Sequence, residues 1–523
     1  MNGMMRGIAL VAGTLGLCVV AAPRAQATTF NAAPGDDVET MINALAAGDE
    51  LVLADGMYTL DSSRFFINVA GTEALPIVVR AADGARPHFQ RPSDSQNIWD
   101  IRAEYLVLRG LEFSGGSAGL RFETGRFVTI EACEIHDTGD VALRMNDVGQ
   151  RYEGMRILRN EIHHTNGTGE GMYLGCNSNG CQLANALIEG NYVHHTNQAS
   201  VSQGDGIEIK EGSFGNVVRD NVIHDTNYPC ILTYSTVGNG APNVIERNAL
   251  WNCGDHGIQS AADAVIRNNI ILGAVADGIA MQPHQAGTPS NLIVAHNTVL
   301  NGGRAITVRG ATGSVLVANN ALYSQSGEAI FVNGDATMVT SIGNVSVGGG
   351  PGVTAGALTA DLVMASHAGA PPMNVFPTAG GMLPRTGEVA HVVSDDFDGT
   401  ARLGVADVGA YAFGPGGPRW ILAAGFKIIS PGPMPGTDGG VAELDGGGVS
   451  LDGGGVSRDG GSTGRDGGGT TGSDGGGAAG GGDDGGCGCT MVGASRGSSI
   501  AWLSLALLAL IWRRRRASRS LSV

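Results

Sequence analysis

The chain reads as all-β, its body a single-stranded right-handed parallel β-helix, and three observations lead there. A short motif, Asn then any residue then an aliphatic one, recurs at intervals of roughly 21 to 31 residues, the length of one solenoid coil. It stands at Asn160-Glu161-Ile162, Asn191-Tyr192-Val193, Asn221-Val222-Ile223 and Asn248-Ala249-Leu250, and continues at Asn269, Asn297, Asn320 and Asn344. Around it, short runs alternate apolar and polar residues, as strands with one buried face do. A helical period fits nowhere in this region. Each Asn follows one such run, as in Met155-Arg156-Ile157-Leu158, and precedes a polar turn. A second run comes after, often opened by Gly: Gly171-Met172-Tyr173-Leu174, Gly206-Ile207-Glu208-Ile209, Gly278-Ile279-Ala280-Met281. Coils of this kind stack about 4.8 Å apart, so residues in the same slot form columns. The Asn column is then a structural ladder, because Asn tolerates left-handed backbone and its amide bonds to the coils above and below. Cys133-Glu134-Ile135 fills the same slot one coil earlier.

Taken in chain order, residues 1–27 form an export signal, with a basic start, the apolar run Ile8 to Val20 and the small-residue site Ala25-Gln26-Ala27. The β-helix domain is assigned to 28–414. Val38, Met41, Ile42 and Leu45 fall at helical spacing and suit a short amphipathic helix capping the first coil. The last clear coil lies near Asn344, and the looser stretch from 350 to 414 is expected to close the far end. Residues 415–486 are a linker, nearly all Gly, Asp, Ser and Thr from Pro431 onward, which cannot bury enough apolar surface to fold. Residues 487–523 carry Cys487-Gly488-Cys489, the apolar run Ser499 to Trp512 and the cluster Arg513 to Arg516, a C-terminal membrane anchor with a cytoplasmic stop signal. This tail resembles the myxobacterial C-terminal sorting signal, which implies processing near the cysteines and display on the cell surface.

Net charge is −17 and no broad basic patch precedes the terminal arginines, which argues against a nucleic-acid partner. A monomer is expected. Export permits disulfides. Cys176 and Cys181 bracket a four-residue loop and are placed for a local bridge, whereas Cys133, Cys230 and Cys253 read as small buried apolar residues.

Aligning the second run of successive coils indicates what points outward. With Ile207 and Ile209 inward, Glu208 and Lys210 face solvent; Tyr173 and then Arg144 lie beside Glu208 on the preceding coils, and Tyr234 falls next to Lys210 on the following one. Lys210 and Lys427 are the only lysines among 32 basic residues. A lysine can give up its proton when desolvated or crowded by positive charge, and arginine cannot. Abstracting a proton beside a uronate carboxylate needs a cation on that carboxylate, a base, and an acid for the leaving oxygen. Arg144 or Ca²⁺ suits the first role, Lys210 the second, and Tyr234 or Tyr173 the third. Asp205, Glu208 and Glu170 supply oxygen ligands of the type Ca²⁺ prefers. The structural alternative is Lys210 paired with Glu208 or Glu211 on a solvated strand.

The segments Gly48-Asp49-Glu50-Leu51-Val52-Leu53-Ala54-Asp55-Gly56-Met57-Tyr58 and Pro76-Ile77-Val78-Val79-Arg80-Ala81, with the coil repeat, resemble the alginate lyase and chondroitinase B group of pectin-lyase-like polysaccharide lyases. The resemblance implies a lysine base on a central coil, an assisting arginine one coil on, and a calcium held by acidic residues. Lys210 matches the lysine and Asp205 one acidic ligand. Tyr234 or a neighbour stands where the arginine would be, and Gln203 where a second acidic ligand would be. The expected function is therefore a surface lyase acting on an acidic polysaccharide. The competing class is a non-catalytic glycan-binding or adhesive protein. A polygalacturonase-type hydrolase fits poorly, because its paired aspartates are missing.

Histidines form columns of their own: His136, His163, His194 and His224 share one slot, and His164 and His195 follow in the next. Like residues stack in β-helices because each coil repeats the same geometry. Structural stacking is thus favoured over metal binding or proton transfer. Asp395-Asp396-Phe397-Asp398-Gly399 likewise reads as a polar turn before it reads as a calcium loop.

Overall fold

A computed structural model of the chain describes residues 27–367, 370–414 and 420–427. The export signal and the C-terminal anchor lie outside the described residues, as does nearly all of the linker. Among the described residues no helix is long and apolar enough to cross a membrane.

Three parallel sheets of 13 strands each wind around one apolar interior. The first runs from Thr29–Ala32 to Val339–Ile342, the second from Gly56–Thr59 to Val353–Ala355. The third includes Met172–Leu174, Ile207–Ile209, Ile231–Thr233 and Ile258–Ser260. Strands are three to seven residues long because each coil turns a corner after every one. Alternation sends Met172, Leu174, Ile207, Ile209, Ile231 and Ile258 inward, all fully buried. The short helix Val38–Asn43 covers the first coil with Val38 and Ile42, its N-terminus capped by Asp37.

The asparagine ladder is continuous. Asn160 donates to Asn191 Oδ1 at 3.0 Å, Asn191 to Asn221 at 2.9 Å and Asn221 to Asn248 at 2.9 Å, and the chain of bonds reaches Asn344. Each amide also donates to a backbone carbonyl, as Asn191 does to Ile157, so the buried corner leaves few polar groups unpaired. Cys133 does occupy the preceding slot: its N–H donates to Asn160 Oδ1. A second ladder, Asn216 to Asn243, was not legible as a repeat because only two members are Asn.

Three expectations need correction. Cys230 and Cys253 are not separate buried thiols but a disulfide with Cα atoms 5.3 Å apart, since coil stacking brings together residues 23 apart in sequence. Cys176 and Cys181 are bridged as well, and Cys133 remains a free buried thiol. The stretch from 350 to 414 does more than close the end. After the helix Leu358–Asp361 and a two-stranded antiparallel pair it doubles back along the outside of the second sheet. There Met373, Val375, Phe397 and Tyr411 cover Trp251, Ile270, Leu272 and Leu300, forming a second apolar core. Finally, residues 420–427, assigned by composition to the linker, continue this strap: Leu422 is fully buried and Lys427 reaches Asp220 at 2.8 Å. In the Asp395–Gly399 segment, Asp396 Oδ1 accepts from the N–H groups of Asp398 and Thr400, the geometry of a capped turn.

Candidate active site

The third sheet positions the chemistry. Its register places Arg144 beside Tyr173, and Tyr173 beside Glu208, as the column alignment requires. Gly206 makes the approach possible: a Cβ there would lie 2.5 Å from the carbonyl oxygen of Cys230, so only glycine lets the coils close at the bend before Glu208. Lys210 follows Ile209, where the strand ends, and its side chain turns back over the sheet.

Lys210 Nζ donates to Glu208 Oε1 at 2.5 Å and lies 3.4 Å from Tyr234 Oη. Tyr234 in turn donates to the same carboxylate oxygen at 2.9 Å. The ammonium sits 4.3 Å from the centre of the Tyr173 ring. His284, which the sequence did not single out, and Glu211, named there only as a possible partner of Lys210, complete the surroundings. His284 Nε2 lies 3.0 Å from Tyr234 Oη and its ring stacks on the tyrosine, while Glu211 accepts from the backbone N–H of Ala286.

These contacts overturn the expectation that Glu208 and Lys210 face solvent. They point out of the helix interior, yet Glu208 is 1 % and Lys210 4 % exposed. The cover is the tight turn His284–Gly287, inserted after the strand Ile279–Met281. Gln285 fastens it to the disulfide loop of an earlier coil, accepting from the N–H of Ser178 and donating to Asn177 at 2.7 Å. A contact spanning 108 residues has no local sequence signal.

Glu170, Asp205 and Glu208 bring one carboxylate oxygen each within 4.8 Å of one another, all three residues being buried. Glu170 Oε1, Asp205 Oδ1 and Glu208 Oε2 have no hydrogen-bond partner. Burial first, and the charge of Glu208 next, push the Glu170 carboxyl up to about 7 and that of Asp205 well above its usual range. Burial opposes the charge on Lys210, but attraction to Glu208 outweighs it and pushes the ammonium up to about 12. Burial raises Tyr173 to about 12 and Tyr234 further still, so both remain phenols. Three buried carboxylates, each with an oxygen within 4.8 Å of the others and each with an oxygen lacking a partner, form a donor set that a hard, oxygen-preferring divalent cation fits.

Arg144 stands apart from this centre. It donates to Asn146 at 3.0 Å and faces Asp140 at 3.6 Å. The link inward is indirect, since the Thr168 hydroxyl lies 2.7 Å from Asp140 and 2.6 Å from Glu170. The sequence-selected residues Lys210, Tyr234, Tyr173, Glu208, Asp205 and Glu170 therefore converge, and Arg144 borders them. An open cavity of about 220 Å³ lies elsewhere, lined by Arg86, Glu112, Glu134, Arg159, Glu161 and Phe426, and holds none of these groups.

Residues 157–322 match the family model of the right-handed β-helix region, and residues 33–128 match that of chondroitinase B. The first match spans the site. The second ends before any candidate site residue. No curated protein matches. Among solved structures, a pectate lyase is 16% identical, with a TM-score of 0.44 over 73% of this chain and 96% of its own. An alginate lyase from Paenibacillus sp. is 19% identical, with a TM-score of 0.39 over 58% of this chain and 99% of its own. The A-module of a mannuronan C-5 epimerase from Azotobacter vinelandii is 13% identical, with a TM-score of 0.42 over 61% and 96%. At these identities and scores the likenesses carry no chemistry over to this chain.

Proposed function

We propose that this protein is a polysaccharide lyase that cleaves a uronate-containing glycan by β-elimination, displayed outside the cell on its C-terminal tail. The observation that supports this reading most is the convergence of Lys210, Tyr234 and three partnerless carboxylate oxygens on one face of the third sheet.

Glu170, Asp205 and Glu208 would hold a divalent cation, calcium by donor type. Such an ion would supply charge to neutralise the uronate carboxylate. Lys210 first passes one proton to Glu208 Oε1, 2.5 Å away; the neutral amine then removes the proton beside the uronate carboxyl, and the electron pair forms the ring double bond as the glycosidic carbon–oxygen bond breaks. Tyr234, kept as a phenol by burial among carboxylates, donates its proton to the leaving oxygen. With the turn in place His284, whose imidazole burial holds neutral, contacts that hydroxyl at 3.0 Å, and the contact is released when the turn moves. Tyr173 places a ring against the lysine. The His284–Gly287 turn covers the buried lysine, and a polymer would reach it with that turn displaced.

The test is ultraviolet absorbance of the unsaturated product from a panel of alginate, pectate and chondroitin. Absorbance that rises with the parent protein and calcium, and is lost with chelator or in Lys210→Ala, is the expected result. A flat trace from folded protein on every uronate removes the lyase reading. It would favour the second one, a glycan-binding surface protein in which the buried Lys210–Glu208 pair is structural.

A further inference from the structure

The outer face of the second sheet carries a feature unrelated to the lysine centre. Ser114, His136, His163, His194, His224 and Trp251 stand in register on consecutive coils. The next residue in each coil, Asp137, His164, His195, Asp225 and Asn252, has positive φ, between 51° and 55°. That left-handed turn aims its side chain alongside the preceding imidazole, so each coil presents a pair of donors. Where the second column changes from His195 to Asp225, donors from two coils meet.

His195, His224 and Asp225 bring one ligand atom each within 4.8 Å of one another. His224 Nδ1 lies 2.6 Å from Asp225 Oδ2, and His195 Nε2 3.9 Å from the same oxygen. These separations bracket the roughly 3.3 Å between donors around a tetrahedral zinc ion.

The outer partners of these side chains point to a ligand. A ligating imidazole characteristically rests its second nitrogen on a fixed hydrogen-bond partner. His195 Nδ1 lies 2.7 Å from His194 Nδ1, and His194 Nε2 lies 3.2 Å from Glu161. The Glu161 carboxylate can only accept, so its contact selects the His194 tautomer with the proton on Nε2. Donating Nε2–H to Glu161, it offers Nδ1 as an acceptor to the Nδ1–H of His195. That assignment leaves the His195 Nε2 lone pair free and turned toward Asp225. His224 Nε2 lies 2.9 Å from the Tyr192 hydroxyl, which can accept its proton once Nδ1 ligates. Asp225 Oδ1 accepts from Asn252, leaving Oδ2 for the centre. His195 has a side chain 42 % exposed, which leaves a coordination position open to water.

We propose that His195, His224 and Asp225 form a binding site for one divalent transition-metal ion of zinc's class, with Glu161, His194, Tyr192 and Asn252 fixing the three ligands. Two imidazoles and a carboxylate with one open position select such an ion over calcium, which takes oxygen ligands. Binding displaces the proton between His224 and Asp225 and joins two coils.

The full chain, stripped with chelator and desalted, is titrated with Co²⁺ followed by its visible absorption, and with Zn²⁺ by calorimetry. His195→Asn and Asp225→Asn are the variants, since Asn252 shows that asparagine suits this column and neither residue lies in the core. Circular dichroism establishes that each is folded. One equivalent is expected to bind the parent, with nitrogen and oxygen ligand-field bands, and affinity to fall at least ~10-fold in each folded variant. Unchanged affinity in both variants overturns the proposal. So does the absence of saturation below about 1 mM, or a thiolate-to-cobalt charge-transfer band, which would assign the ion to Cys487 and Cys489.

Discussion

The protein has two lysines, and both are buried, yet they occupy opposite kinds of surroundings. Lys427 donates to Asp220 at 2.8 Å and to the carbonyl oxygens of Arg247 at 3.0 Å and Phe397 at 2.5 Å. Its three protons meet three acceptors, and Asp220 is closed off by Arg247 as well. Lys210 shares one oxygen of Glu208 with Tyr234, while three neighbouring carboxylate oxygens have no partner. A fully matched charge pins a strap to a scaffold. An unmatched set of carboxylates is costly to bury and persists where something else completes it. The contrast separates the two lysines more sharply than burial does.

Removing each lysine is the most forceful way to test that contrast. Lys427→Met leaves Asp220 short of a partner and detaches the strap, and should cost about 3 kcal/mol in denaturant melts, whether or not calcium is present. Lys210→Met leaves carboxylates facing each other, and its loss in metal-free buffer should be reversed by calcium. At 100 times the dissociation constant a bound ion adds about 2.7 kcal/mol. Equal calcium response in the two variants would erase the distinction.

The carboxylate cluster gives a pH signature of the same difference. The Glu170 carboxyl is raised from an ordinary 4.5 to about 7. Its charged form is disfavoured by folding, so the relative stability that protonation provides is full below 4.5 and lost as pH rises through about 7. Glu170→Gln should therefore exceed the parent in metal-free stability at pH 8 and above by about 3 kcal/mol. The advantage should shrink to nothing near pH 4.5. Calcium should invert the order at pH 8, because the variant loses a ligand. A variant no more stable than the parent at high pH would mean that the cluster is not strained by its charge.

Much of this was legible in the sequence, for a physical reason. A β-helix repeats one backbone geometry per coil, so aligning Asn160, Asn191 and Asn221 also aligns everything between them. Arg144, Tyr173 and Glu208 fell into register that way, and Glu170 and Asp205 followed because both sit just before an opening glycine. What the repeat cannot express is anything that leaves the coil. His284 and Gln285 sit on an insertion, Lys427 lies 207 residues from Asp220, and the cover over Lys210 comes from a loop two coils onward. Hence the pairing of the groups was foreseen and their burial was not. The apolar Ala249-Leu250-Trp251 run carried a hint of the strap, since a strand buried on both faces loses its alternation.

The smallest effect concerns that cover. Gln285 holds the turn by two contacts to residues 177 and 178, at 2.7 and 2.9 Å, each worth about 1 kcal/mol or less between half-exposed polar groups. Gln285→Ala should barely move the global melt. It should instead speed hydrogen exchange at Ala286 and Gly287, whose N–H groups are held by Glu211 and by the His284 carbonyl. If the turn is the barrier between Lys210 and a polymer, this variant should raise turnover or lower KM while leaving the calcium dependence of stability unchanged. Faster exchange without any change in access to Lys210, measured by amine labelling, would show that the turn covers the site without governing it. No such labelling response is expected at Lys427, whose partners lie under the strap and not under this turn.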